Sequence, residues 1–311
     1  MNISDKKIER ITQVAKLYYN DNLTQNEIAD NLKISRPMVS VLLNEARSLG
    51  IVTITVNDVS NTRQLHENRI KDQFNFKNVI VVKDGKSPEE TDINVSKTAL
   101  QYCFEKAKSN ASIGIGWGSM IGKMTDYAQR QEHPLHLNGK IFPLIGGIGA
   151  TYRSYHTNEI IRILSTYTGL EAKYCYLPAF FNSAEEKKIV QNLQTYREYK
   201  ENCATMNMAI ISISNYPSYP DLGVVYRYED LLSKHKSVGR LLAHYYDAMG
   251  QIILPKVDNA IQVSIEELKK TSNVTAICSS LLKPESLIGA LRVGVIKNVI
   301  IPESLAAKII I

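Results

Sequence analysis

Cysteines are few and far apart in this sequence: Cys103, Cys175, Cys203 and Cys278, with no CxxC pair among them. That excludes a disulfide-stapled scaffold and a cysteine-built zinc module, and points to reduced, mostly buried thiols. No run of about 18 apolar residues occurs, so no membrane span is expected. No apolar core precedes a cleavage site near the N-terminus, and the expected compartment is the cytoplasm. The Asn-x-Ser/Thr triplets at Asn94 and Asn273 are then chance matches. His133 and His136 form an HxxH, but in the loop-like HPLHLNG and without a cysteine nearby. Neither a metal nor any other cofactor is therefore expected. Internal repeats and low-complexity segments are missing too.

Charge is not concentrated either. The formal net charge of +6 hints at an anionic partner, yet residues 1–56 hold seven Lys/Arg against six Asp/Glu. Charge thus supports a nucleic-acid partner only weakly, and any such reading must rest on a motif. A length of 311 residues leaves room for a small and a large domain. A 44% hydrophobic and 22% charged composition is ordinary for a globular protein.

What is there begins with residues 24–47, TQNEIADNLKISRPMVSVLLNEAR. Ile28 and Leu32 share one helical face, Val39 and Leu42 another, and Ile34 fills the turn between them, with small Ala29 allowing close approach. Thr24 with Glu27 reads as a capping box, and Ser35 as the cap of a second helix with Pro37 in its first turn. This is the pattern of a helix-turn-helix, whose second helix enters a DNA major groove. Arg36, Ser40, Asn44 and Arg47 are read as the face opposite the core. Arg36, Pro37 and Ser40 are expected at base edges, Asn44 and Arg47 nearer the backbone. Lys33 stands where the turn wants a left-handed residue, at a cost of roughly 1 kcal/mol. Apolar spacing alone would equally suit two helices of an ordinary bundle; spacing, caps and polar outer face together favour DNA.

A supporting helix is expected over 6–20, and the alternating IVTITV at 51–56 suggests a short strand or wing. The polar NDVSNT marks a boundary, giving a DNA-binding domain at 1–56 and an effector-binding and oligomerisation domain at 57–311, introduced by a linker helix over 63–74. From residue 78 short apolar runs alternate with helical stretches. Strands are expected at 79–82, 112–116, 140–145, 172–177, 208–213, 251–255, 274–279 and 298–302, and helices at 91–108, 119–130, 157–168, 184–201 and 284–295. That alternation predicts an α/β domain, doubly wound and Rossmann-like, around a largely parallel sheet.

Ligands of such sheets bind at the carboxyl ends of the strands. There the sequence places Gly116-Trp117-Gly118-Ser119 ahead of a helix, and Gly146-Gly147 ahead of Ile148 and Gly149. It also places Pro178-Ala179-Phe180-Phe181, and Ser279-Ser280 followed by Lys283. Glycines that admit close backbone approach, helix N-termini and a lysine together suggest a phosphate or carboxylate pocket.

The chain resembles the SorC family of bacterial sugar-responsive transcriptional regulators over nearly its whole length. The resemblance is carried by AKLYYNDNLTQNEIADNLKISRPMVSVLLNEAR, IGIGWGS, PLIGG, YLPAFF, VGRLLAHYYDAMG, LLKPESLIGAL and NVIIPESLAAKII, in that order. It implies an N-terminal winged-helix-like domain and an effector domain similar in fold to sugar-phosphate isomerases and deaminases. It also implies a homo-oligomer, usually a tetramer, that binds double-stranded operator DNA and a small metabolite. A phosphorylated sugar is the foremost effector; an organic acid such as citrate is the alternative. Carried onto this chain, Gly116, Trp117, Gly118 and Ser119 form the anion loop, Gly146 and Gly147 the glycine pair, Asp247 a partner for hydroxyls, and Lys283 a basic contact. Phe180 and Arg240 complete the expected effector site. The chain departs from the family at Met120, where a Thr is usual, and at Arg240, where an Asp is common. It departs also at Ser279-Ser280, at Ile145 where one branch has a Schiff-base Lys, and at Val41 in place of a frequent Arg. Arg240 favours a more anionic effector if it faces the pocket, and nothing if it faces solvent or a local acid.

An enzyme is the competing reading, with His244 and Asp247 one helical turn apart and Lys283 as acid/base groups. A helix-turn-helix argues against it, so no catalysis is expected. A DNA-organising protein without ligand is the third possibility.

Overall fold

Thr24 and Ser35 each place a side-chain oxygen on the N–H three residues on, and so start two helices a turn apart. In this computed structural model, which describes residues 5–53, 62–105, 107, 110–132, 134–148, 156–218 and 227–310, they are α2 (Gln25–Leu32) and α3 (Arg36–Ser48), preceded by α1 (Asp5–Tyr19). Glu27 completes the capping box on Thr24, and Lys33 takes the left-handed conformation at φ 50°. The three helices close on Ile11, Val14, Ala15, Ile28, Ala29, Val39, Leu42, Leu43 and Ala46, with Leu32 and Ile34 at the margin. The expected strand at 51–56 does not form where it can be seen. Residues 51 and 52 are bends and 53 is irregular, Val52 donating to the Ala46 carbonyl at 3.0 Å beyond Gly50 at φ 72°, and 54–56 lie outside the described residues. Chain contacts divide the protein into two units, Met1–Val59 and Ser60–Ile311. The expected boundary at 56/57 also falls outside the described residues.

The second unit opens with α4 (Thr62–Phe74), expected as a linker. It packs on its own unit through buried Ile70, and Glu67 accepts the Val81 N–H at 2.9 Å. Then come β1 (Asn78–Val82), α5 (Pro88–Glu105), β2 (Ala111–Ile115), α6 (Ser119–Gln129), β3 (Gly139–Pro143), α7 (Thr157–Thr168) and β4 (Glu171–Ala172). Next are α8 (Ala184–Gln191), α9 (Gln194–Ala204), β5 (Met208–Asn215), α10 (Leu231–Lys234), β6 (Gly239–Leu241), β7 (His244–Tyr246) and β8 (Ile252–Ile253). The unit ends with α11 (Ile265–Lys270), β9 (Asn273–Ile277), α12 (Pro284–Arg292), β10 (Asn298–Pro302) and α13 (Glu303–Ile309).

Seven strands pair in parallel in the order β1-β10-β9-β5-β2-β3-β4. Alternation along each strand feeds two cores. Ala209, Ile211, Val274, Ala276, Val299 and Ile301 join α4, α9, α11, α12 and α13 on one face. Ile113, Ile115, Ile210, Ile277 and Ile300 join α5, α6 and α7 on the other. Such two-sided burial is why these strands read as unbroken apolar runs.

The helix expected over 184–201 is two, α8 and α9, parted at Asn192 and Leu193, and three further expectations need correction. The run at 172–177 contributes only β4; beyond it the chain makes single bridges, Gly147 to Pro178 and Phe180 to Ala260. The run at 251–255 is the short β8, antiparallel to β7. The supposed helical turn from His244 to Asp247 is β7 and the residue after it, in an antiparallel ribbon whose β6 pairs with the end of β5 on one side and with β7 on the other. Leu242 at φ 54° turns β6 into β7. Asp247 ends β7 by accepting the N–H groups of Met249 and Gln251, both at 2.9 Å.

Candidate functional site

From β2 the chain winds one way, to β3 and β4; from β5 it winds the other, to β9 and β10. The crevice of such a sheet lies at the carboxyl ends where direction reverses, here between β2 and β5. Buried Gly116, Trp117 and Gly118 follow β2, and exposed Ser119 opens α6. Gly118 has φ 114°, and a Cβ there would stand 2.6 Å from Ser212 Oγ, so the loop requires glycine. Ser212 Oγ in turn donates to the Trp117 carbonyl at 2.7 Å. No side chain caps α6. Its first-turn N–H groups and the positive end of its dipole are thus presented at the switch point. Met120, just behind, is in the core and not on this surface.

The glycine pair after β3 serves another purpose. Gly146 N–H donates to Ile261 O at 2.9 Å and Gly147 N–H to Leu177 O at 2.8 Å, while a Cβ on Gly146 would meet Pro178 O at 2.6 Å. These glycines let two backbones touch, and their N–H groups are already engaged with main-chain carbonyls. The contact brings Phe180 beside Trp117, ring centroids 6.1 Å apart. The Arg227 guanidinium lies 5.2 Å from the Phe180 centroid and 5.1 Å from that of Tyr228.

Arg227 is only 3% exposed. Its Nε donates to Asn259 Oδ1 at 3.1 Å and one Nη to Ala243 O at 3.3 Å, and among the described residues no carboxylate pairs with it. Asp258, close in sequence to Asn259, is paired with Lys187 at 2.8 Å. A buried cation without a counter-charge is expensive, by several kcal/mol. Arg240, on β6, is also buried, which removes the solvent-facing alternative, and donates to Leu242 O at 2.8 Å. It is the cross-strand partner of Ser214, and so lies on the sheet face that carries Ser212.

Around the end of β9, Asn215 ties the loop together, donating to Leu281 O at 3.0 Å and accepting from Lys283 N–H at 2.9 Å. Lys283 itself is exposed and precedes α12. Ser279 Oγ and Ser280 N–H both bond buried Asp92, at 2.9 and 2.7 Å, which is what the serines do where a glycine pair was expected. Asp247 Oδ1 is engaged in its own turn, so its structural task is to close the β7–β8 connection.

His244 is unsuited to proton transfer. Gln262 Oε1 accepts Ala243 N–H at 3.0 Å, which aims the Gln262 amide NH2 at His244 Nδ1, 3.4 Å away. Nδ1 therefore accepts, and Nε2 donates to Val263 O at 2.8 Å: a neutral ring. Burial, and Arg227 nearby, hold its pKa below the ordinary value. The four cysteines are free and buried, and burial pushes Cys103 and Cys203 up to about 12 and Cys175 to about 11, as befits inert thiols. His133 lies outside the described residues, and no metal-holding cluster occurs among the described ones.

On α3, Arg36, Pro37 and Asn44 are exposed as expected, while Ser40 is half-buried. Arg47 is exposed but holds the Tyr19 hydroxyl through Nε and Nη2, at 3.1 and 2.9 Å. At about 100° per residue, the direction opposite the buried Val39, Leu42, Leu43 and Ala46 falls among Pro37, Val41, Asn44 and Ser48, with Arg36, Ser40 and Arg47 to one side and Met38 to the other. Asn44 thus lies on the outer face as expected, while Arg36, Ser40 and Arg47 are corrected to its flank. Exposed Met38 has no sequence signal because it cannot hydrogen-bond, and Val41 reads in sequence only as a missing arginine; Arg227, Asn259 and Asp92 are distinguished only by their burial.

Residues 57–311 match the profile of a sugar-binding domain family. Over 306 residues the chain is 26% identical to the deoxyribonucleoside regulator of Bacillus subtilis, covering 96% of each. It is 22% identical to the sorbitol operon regulator of Klebsiella pneumoniae over 293 residues, 91% of this chain and 92% of that one. The crystal structure of the full-length Klebsiella regulator superposes with a TM-score of 0.80 at 21% identity, covering 99% of this chain and all of the other. A DeoR family transcriptional regulator from Listeria monocytogenes aligns over 80% of this chain and all of its own, with a TM-score of 0.68 and 27% identity.

Proposed function

The chain belongs to the SorC family of sugar-binding transcriptional regulators, and we propose that a small anionic metabolite controls its hold on operator DNA. In this reading α2 and α3 are a helix-turn-helix, with α3 in the major groove of double-stranded DNA. The metabolite enters the crevice between β2 and β5, with its anionic group at the start of α6 and near Arg227. The protein acts in the cytoplasm as a homo-oligomer, a tetramer by family resemblance, and the metabolite prefers one of its arrangements.

The observation that carries the anionic class is Arg227: a buried guanidinium, stacked on two rings, without a carboxylate among the described residues. Its desolvation is offset once an anion arrives. A phosphorylated sugar is the first choice. Burial of Arg240 on the adjoining strand favours a second reading, a di- or tricarboxylate such as citrate, because it adds another cation. Catalysis is not part of the proposal, since His244 is held neutral between Gln262 and Val263.

The test uses Trp117, the only tryptophan, in a fluorescence titration of the full chain with sugar phosphates and with citrate-like acids. A saturating response is expected from one class, and at about 100-fold the dissociation constant a stabilisation of about 2.7 kcal/mol. Silence from both classes, with operator binding intact, would favour a DNA-binding protein without an effector.

A further inference from the structure

The outer face of α3 carries an exposed valine, Val41, with Met38 one turn back on its flank. Met38 is 48% exposed and Val41 51% exposed, on a helix whose other long side chains are largely engaged. Arg47 is on Tyr19, and Glu45 is on Lys7 at 2.9 Å. Arg36 and Asn44 remain as exposed polar groups on either side of Val41 along the helix. Within a major groove one base presents an apolar group, thymine with its C5 methyl; every other base-edge feature there is a donor or an acceptor. A valine pressed against donors and acceptors would leave them unsatisfied, and this discriminates against those bases.

Resting on the reading that α3 enters the groove, we propose that Val41, with Met38 beside it, reads a thymine methyl in each operator half-site. Specificity at that base pair is then apolar, where a charged or amide residue would have used hydrogen bonds. Asn44, one turn beyond Val41, is placed to pair with an adjacent adenine through N6 and N7.

The experiment first selects duplexes from a random pool with the full-length protein. Each thymine of the selected half-site is then replaced by uracil, which deletes only the methyl. At one thymine the wild type is expected to lose about three- to tenfold in affinity, the worth of one buried methyl. Val41→Ala should bind thymine and uracil duplexes equally, at about the wild-type affinity for uracil, and Val41→Thr, which keeps one methyl, should recover part of the difference. Asn44→Ala should bind more weakly yet still distinguish thymine from uracil. A wild type indifferent to uracil at every thymine overturns the proposal, as does a Val41→Ala that discriminates as the wild type does. If selection returns no preferred sequence, the DNA-binding reading itself fails, an outcome distinct from a protein that selects duplexes but ignores methyls.

Discussion

The Arg47 guanidinium grips the Tyr19 hydroxyl with two nitrogens, joining the last turn of α3 to the end of α1. An arginine read from sequence as a backbone contact is thereby held as a brace. Arg47→Ala should leave the slope of log affinity against log salt unchanged, where loss of a phosphate contact would reduce it by about 0.9. Tyr19→Phe should lower stability by about 0.5–1 kcal/mol, since the pair is exposed. Salt titrations of operator binding and urea melts of both variants check this.

Removal of the buried cation is expected to separate stability from response. Arg227→Met keeps the side-chain length and the contact with Phe180 while deleting a buried charge that no carboxylate among the described residues pairs. The ligand-free protein should melt at or above the wild-type temperature. Its affinity for the anionic effector should fall by about 1.5–3 kcal/mol, the range of a charged hydrogen bond. A strongly destabilised variant would mean that Arg227 is structural.

His244 gives the second unit an acid-sensitive point. Its folded pKa is lowered from 6.5, chiefly by burial, so the unfolded chain takes up the proton first. The stabilisation is complete above about 6.5 and is lost as pH falls toward the lowered folded value, with a slope of up to about 1.4 kcal/mol per pH unit. Melting temperatures recorded from pH 7.5 to 5 should fall more steeply for the wild type than for His244→Gln.

Lys33 holds a left-handed conformation at the turn between α2 and α3. Lys33→Gly should stabilise the first unit by about 0.5–1 kcal/mol, because glycine adopts that conformation without strain. Denaturant unfolding of the pair gives the sign directly.

Gly118→Ala is the converse. With φ at 114° and Ser212 Oγ 2.6 Å from the new Cβ, it should cost about 1–3 kcal/mol and impair effector binding. Double substitution with Ser212→Gly should recover only part, since the backbone strain persists.

How far the sequence could be read depended on which physical rule governed each residue. Thr24, Glu27 and Ser35 act within three residues of themselves, so the caps were legible from spacing alone. The parallel strands were legible because both their faces are buried. The β6–β7 ribbon was not: two aromatic residues beside His244 suit a strand or a helix equally, and tertiary pairing to β5 decides. Val41 was passed over as a lost contact, although an exposed apolar side chain is informative when its neighbours are engaged. Arg227 has no local signature, because burial of a charge is a property of the folded chain.

Eight-residue β5 outruns the five-residue parallel strands β2 and β9. Its last three residues, Ile213, Ser214 and Asn215, pair with β6. The antiparallel ribbon that bears Arg240 and His244 therefore hangs from the sheet by a short splice. One wall of the crevice is common to the whole parallel ladder; the other is a graft. Substitutions, even insertions, in the graft leave the ladder's register untouched, so chains sharing this sheet are free to diverge in the chemistry they sense while retaining one way of folding.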